Sequence, residues 1–196
     1  MAVDAIVIAL GNPGSRYLKT RHNAGFMLAD LLAHEESLNF TFKKNLEAEI
    51  LEGVFEGKKL VILKPLTYMN LSGRSLAKLY QQNKELREVD HIVLHDEVDV
   101  RFGRIKLKQG GSDAGHNGLK SLREAMGHGE SIRLRLGVGR PAHGDMDVAD
   151  YVLQSFSREE ENTAIDLLAN GAKVFRRLLN QGLASAQTYA GELDVT

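Results

Sequence analysis

Ala5-Ile6-Val7-Ile8-Ala9-Leu10-Gly11-Asn12-Pro13-Gly14 is the stretch that decides the fold. Its apolar half runs without a polar interruption, as in a strand buried on both faces, and Gly11 to Gly14 stop it in a tight turn. Phe26, Leu28, Leu31 and Leu32 then recur at helical spacing between about Ala24 and Glu35, so a strand-loop-helix unit opens the chain. Ala48 to Phe55 and Lys59 to Lys64 read as two strands joined by a Glu56-Gly57 hairpin turn, and Pro65, which has no N–H to give a ladder, ends the second. Ser72 to Asn83 carries Leu76, Leu79 and Tyr80 on one helical face. His91 to His95 is a further apolar strand, with Asp96-Glu97-Val98-Asp99 following it in a loop.

Period-two alternation marks two more strands. Gly103 to Lys108 sets Ile105 and Leu107 inward and Arg104, Lys106 and Lys108 outward; Ile132 to Val138 sets Ile132, Leu134, Leu136 and Val138 inward and Arg133 and Arg135 outward. Between them, four glycines from Gln109 to Gly118 demand a loop, and Leu119 to Met126 has the spacing of a short helix. Ser157-Arg158-Glu159-Glu160 is a capping box opening a long helix through Ile165, Leu168, Ala172, Phe175, Leu178 and Leu179, which Gly182 terminates before a second short helix. Buried-type strands, one hairpin and intervening helices predict the α/β class: a single domain over residues 1–196, with a twisted mixed sheet and helices on both faces.

Composition narrows the chemistry. The 196 residues contain no cysteine, which excludes disulfides, thiolate zinc sites and a cysteine nucleophile together. An acidic residue, Asp4, stands where a signal peptide is basic, and no apolar run approaches the roughly 18 residues of a membrane span, so a soluble chain without a membrane partner is expected. The formal net charge is -1, so contact with nucleic acid must come from local basic clusters such as the two outward strand faces, which otherwise are ordinary solvated surface.

Ligands of such sheets bind beyond the carboxyl ends of the strands, and four loops there carry unusual side chains. These are Asn12 with His22 ten residues on, Lys64 to Asn70, His95-Asp96, and Ala114 to Gly118 with its His116-Asn117. Uncharged amides suit holding a carbonyl, while a carboxylate beside an imidazole fixes its tautomer and raises its basicity. That combination fits water-driven acyl transfer, provided Asn12, Asn70, Asn117, His22 and Asp96 converge. Singly, each asparagine is better explained by turn chemistry, and His22 equally well by a capping or surface role; His34, His95 and His116 read as structural. Gly110 to Gly115 has glycines at phosphate-loop spacing, but His116-Asn117 stand where Lys and Ser/Thr are required. Ser112 sits too loosely among glycines for a nucleophile elbow. His95, Asp96, Asp99 and His116 leave a metal-dependent hydrolase open, without any paired ligand spacing to support it.

Gly11-Asn12-Pro13-Gly14, Tyr17, Thr20 to Gly25, Lys64 to Gly73, His95 to Asp99 and Gly115-His116-Asn117-Gly118-Leu119-Lys120, followed by Arg133 to Gly139, closely resemble the bacterial peptidyl-tRNA hydrolase family in order over nearly the whole chain. The resemblance implies a monomeric cytoplasmic enzyme, without cofactor or metal, that cleaves the ester between a peptide and the 3′ end of tRNA. By position it implies His22 as catalytic base and Asp96 as the carboxylate that keeps it basic. Asn12 matches the residue that tells N-blocked from free aminoacyl-tRNA, Asn70 and Asn117 those that hold the substrate, and Tyr17 and Tyr68 those that line the crevice. Lys108 and Arg135 match a pair that grips the tRNA near its 5′ phosphate at the acceptor stem. Ala114, and Arg101-Phe102 after the acidic loop, depart from the family pattern without touching a matched site position. A non-catalytic tRNA-binding module is the remaining alternative.

Overall fold

Alternate residues of the opening strand face two separate cores. In the computed structural model, which describes residues 2–142 and 146–193, β1 (Ala5–Ala9) directs Ala5, Val7 and Ala9 into one apolar cluster, while Ile6, Ile8 and the following Leu10 enter the other. The first cluster is closed by α1 (Ala24–Glu35) and α5 (Glu161–Glu192), the second by α2 (Ser72–Gln82) and α3 (Asn117–Met126). A strand with helices on both faces must be apolar on both, which is the physical content of its uninterrupted sequence.

The remaining strands are β2 (Thr41–Lys43), β3 (Ala48–Phe55), β4 (Lys58–Pro65), β5 (Asp90–Glu97), β6 (Ile105–Gln109) and β7 (Ile132–Gly137). They form one seven-stranded mixed sheet in the order β2-β3-β4-β1-β5-β7-β6. The inner four, β4, β1, β5 and β7, are mutually parallel, and their carboxyl ends share one edge. The flanking β2, β3 and β6 run antiparallel to their neighbours. Glu56 and Gly57 join β3 to β4 with φ of 49° and 75°, the positive pair that matches a two-residue turn to strand twist. The expected single-domain α/β architecture is therefore present. Among the described residues no helix is long and apolar enough to cross a membrane.

Four local expectations need correction. β5 does not end at His95: its ladder with β7 continues through Asp96 and Glu97, because β7 supplies backbone partners there. The loop before α3 is shorter than composition suggests, since the helix begins at Asn117 with His116 as its cap. Arg133 does not face outward. It is buried because the 111–112 backbone folds over it and its guanidinium donates to the carbonyls of Gly111 (3.0 Å) and Ser112 (2.6 Å). The capping box is half formed: Glu160 accepts from the Ser157 N–H (2.8 Å) and from Arg21, and the helix starts at Glu161. The short edge strand β2 and the one-turn helix α4 (Val148–Val152) had no signal in periodicity. The break in the last helix does fall at Gly182, where φ is 80°.

The entry of α1 sets the geometry of the strand ends. The Phe26 N–H donates to the Leu10 carbonyl (3.2 Å), and a Cβ on Gly25 would lie 2.3 Å from the Leu94 carbonyl oxygen and 2.7 Å from that of Leu10. Only glycine lets the helix start touch the ends of β1 and β5 at once. Gly25→Ala must push that start away from the sheet, at a cost of about 1–3 kcal/mol. Thermal unfolding should show a Tm lowered by several degrees, and an unchanged Tm would mean that the contact relaxes freely.

Candidate active site

Three elements meet where the inner strands end. β1 delivers Asn12, β5 delivers Asp96, and a 3-10 turn (Arg21–Asn23) ahead of α1 delivers His22. They line a crevice of about 560 Å³ with Tyr17, Tyr68, Asn70 and Asn117. One side is apolar, built by Val148, Ala149, Val152 and Leu153 on and beside α4.

Asp96 is 2% exposed, and its carboxylate is held by two imidazoles. His22 Nδ1 lies 2.9 Å from both carboxylate oxygens, and His116 Nε2 lies 3.0 Å from Oδ1. The tautomers follow from the other ring atoms. His116 Nδ1 accepts from the Gly118 and Leu119 N–H groups as the cap of α3, so its proton sits on Nε2 and is donated to Asp96. A carboxylate can only accept, so His22 in turn donates from Nδ1 and leaves Nε2 bare. No hydrogen bond to His22 Nε2 is found among the described residues, and the ring lines the crevice.

Electrostatics follow the same geometry. Burial disfavours imidazolium at His22, but the attraction and hydrogen bond of Asp96 outweigh it and raise the pKa above the ordinary imidazole value. Burial likewise opposes ionisation of Asp96, yet the two histidines hold its carboxyl well below the usual carboxylate range. His95 is pushed down to about 3 by burial and by His116, so it stays neutral; its Nδ1 donates to the Asp96 carbonyl (2.7 Å).

Asn12 is fixed from three directions. Its N–H donates to Asn23 Oδ1 (2.9 Å), its carbonyl accepts from Asn23 Nδ2 (3.0 Å), and its own Oδ1 accepts from the Met69 N–H (2.8 Å). With Oδ1 committed, Nδ2 is the end of the amide left to donate into the crevice it lines. Asn70 and Asn117 also line the crevice and are exposed.

Lys108 and Arg135 lie elsewhere, on β6 and β7, and do not line the crevice. Lys108 is exposed on β6 opposite Arg133, while Arg135 is partly buried and holds Glu97 through Nε (3.0 Å) and Nη2 (2.9 Å). The structure thus gathers Asn12, Tyr17, His22, Tyr68, Asn70, Asp96 and Asn117 into one crevice and leaves this basic pair outside it. Asp99, expected as a possible metal ligand, instead pairs with Arg140. His22, Asp96 and His116 offer ligand atoms within 4.8 Å of one another, a spacing that would suit an ion. Their mutual hydrogen bonds and the His116 cap already account for that proximity.

Sequence reasoning missed three residues here. His116 carried a signal, its place before an Asn117-Gly118 helix start. Asn23 and Arg21 carried one only as neighbours of His22. The Arg21 guanidinium donates to the carbonyls of Gln154 (3.3 Å) and Ser155 (3.0 Å) and to Glu160 (2.6 Å), and stacks 4.3 Å from the Tyr151 ring centroid. It joins the turn that carries His22 to the segment that builds the apolar wall.

A central mixed parallel sheet with a carboxylate-anchored imidazole at its strand ends defines an α/β protein with the makings of a general base. The peptidyl-tRNA hydrolase family model matches residues 6–194. A peptidyl-tRNA hydrolase of Geotalea daltonii is 46% identical over 195 residues, covering 100% of each chain, and that of Geobacter sulfurreducens is 44% identical, covering 97% of this chain and 96% of its own. The crystal structure of peptidyl-tRNA hydrolase from Acinetobacter baumannii superposes with a TM-score of 0.83 at 32% identity, covering 97% of this chain and 96% of that one. The chain belongs to the peptidyl-tRNA hydrolase family.

The Asn23 carboxamide is 1% exposed and pairs both ways with the Asn12 backbone. Asn23→Asp turns its donor into an acceptor facing a carbonyl, which should cost about 1–3 kcal/mol near neutral pH. Protonation of the introduced carboxyl restores a donor. The stability deficit against the parent should therefore shrink as pH falls through that group's raised pKa; paired denaturant titrations showing a deficit independent of pH would contradict the pairing.

Proposed function

We propose that the chain hydrolyses the ester joining a peptide, or another N-blocked aminoacyl group, to the 3′ end of tRNA, with His22 as general base. The observation that carries this reading is the double 2.9 Å contact of His22 Nδ1 with Asp96, which leaves Nε2 as a bare acceptor in the crevice. Membership of the family supports it.

Nε2 takes a proton from water as the oxygen attacks the ester carbonyl; the imidazolium is held by Asp96 and then gives the proton to the departing ribose 3′ oxygen. Water is consumed, and a free acid and a tRNA hydroxyl result, with no covalent enzyme intermediate. Asn12 Nδ2 donates to the oxyanion, while Asn70 and Asn117 hold the substrate near the scissile ester and Tyr17 and Tyr68 line its path. A positioned base contributes about 10² to 10⁴ in rate and one oxyanion donor about 10² to 10³, enough for an ester without metal or nucleophile. The apolar wall from Val148 to Leu153 disfavours the charged ammonium of an unblocked aminoacyl group and accepts a neutral peptide amide.

In this reading Lys108 and Arg135 contact phosphates of the acceptor stem, which positions tRNA without reading bases. Residues 1–196 act as one unit, a cytoplasmic monomer needing no cofactor.

Turnover of N-acetylated aminoacyl-tRNA against its unblocked counterpart, with and without chelator, tests the assignment. The blocked substrate should be cleaved in both conditions. Protection of the ester would indicate a binding module, and loss of activity on chelation a metal hydrolase. His22→Ala should lower kcat by about 10² to 10⁴.

The pH profile gives a signed test. The base works neutral, so kcat/KM should fall as pH drops through the raised His22 pKa, placing the acidic limb above that of an ordinary imidazole. Asp96→Asn removes the charge that raises it, and the limb should move to lower pH as the rate falls. A limb that stays in place would separate the pH dependence from this pair.

A further inference from the structure

A polyanionic substrate approaching this crevice meets three carboxylates at the ends of β5 and its following loop: Asp96, Glu97 and Asp99. Each has a cationic or proton-donating partner. Asp96 is held by two imidazoles, Glu97 by Arg135, and Asp99 by Arg140. Of these partners, Arg140 is the one lysine or arginine among the described residues that itself lines the crevice. Arg135 and Lys108 lie outside it.

Arg140 reaches that position from the chain beyond β7, where the Gly139 N–H donates to the Val100 carbonyl (3.1 Å) and clips the two strand-end loops together. Its Nε and Nη2 both contact one oxygen of Asp99, at 2.8 Å and 2.7 Å. That clasp is half exposed at both partners, and it fixes the plane of the fork while leaving Nη1 without a partner among the described residues. A guanidinium held this way, half exposed and lining the crevice, suits a phosphate oxygen better than a neutral group.

Taking the proposed ester hydrolysis as its premise, we propose that Arg140 forms a subsite for the phosphodiester immediately 5′ to the terminal nucleoside of the substrate, the first phosphate reached from the scissile ester. The contact is local to the acylated 3′ end and separate from the acceptor-stem contacts of Lys108 and Arg135. It lets a crevice rich in carboxylates admit the end of a nucleic acid, and Asp99 keeps the fork oriented while the site is empty.

The test is a cycle across enzyme and substrate, using the full chain and an N-acetylaminoacyl-tRNA in which only the last phosphodiester is replaced by an uncharged methylphosphonate. For the parent enzyme, kcat/KM should fall about tenfold on that replacement, the scale of one charge-assisted hydrogen bond. Arg140→Gln should lose a similar factor on the native substrate and little more on the neutralised one, while Arg140→Lys retains part of the sensitivity. Thermal unfolding of both variants reports on folding separately. Losses that multiply independently, or a parent enzyme indifferent to the replacement, overturn the subsite. Failure of the parent to cleave the native substrate would instead remove the hydrolase reading on which it rests.

Discussion

A buried carboxylate is the constraint from which the rest of the site follows. Asp96 sits at 2% exposure, and an unpaired charge there would cost several kcal/mol. Its two oxygens are therefore committed to His22 and His116, and those commitments tie together the end of β5, the turn before α1 and the start of α3. Because His116 must keep Nδ1 free to cap its helix, the direction of every proton in the cluster is determined. The basic nitrogen of His22 faces the crevice as a consequence of where Asp96 is buried.

The His22 turn is clamped on both sides by its sequence neighbours. Arg21 fixes it to the 154–160 segment and so to the apolar wall, and Asn23 fixes it to Asn12 and so to the end of β1. Base, amide donor and wall are thus held relative to one another through three consecutive residues. Placement of this kind supports catalysis by positioning, where small displacements carry large rate penalties. Gly25 completes the clamp from below by letting α1 begin against the strand ends.

Elements whose burial is set by their own periodicity were legible in the sequence. β1 read correctly because both of its faces meet a core, and α1, the β3–β4 hairpin and the inward Ile105 and Leu107 of β6 because one face of each does. Arg133 did not, since the backbone that covers it lies 21 and 22 residues away in sequence and local alternation carries no trace of it. The end of β5 was obscured because its last residues are acidic, and acidic residues in a ladder make sense only once His22, His116 and Arg135 are known to surround them. The convergence of Asn12, His22 and Asp96 was legible through the rule that ligands gather at strand ends and through the family resemblance. The role of His116 was not, because its one signal, a place just before a helix start, does not show that the same ring also reaches Asp96.

The tautomer of His22 is the most direct point of attack. Nitrogen-15 NMR of the imidazole in the free protein, at a pH above its raised pKa, should show a protonated Nδ1 and an unprotonated Nε2, with the Nδ1 proton far downfield from its bond to Asp96. A signal from Nε2–H with a bare Nδ1 would contradict the account, because the ring would then present no basic nitrogen to the crevice.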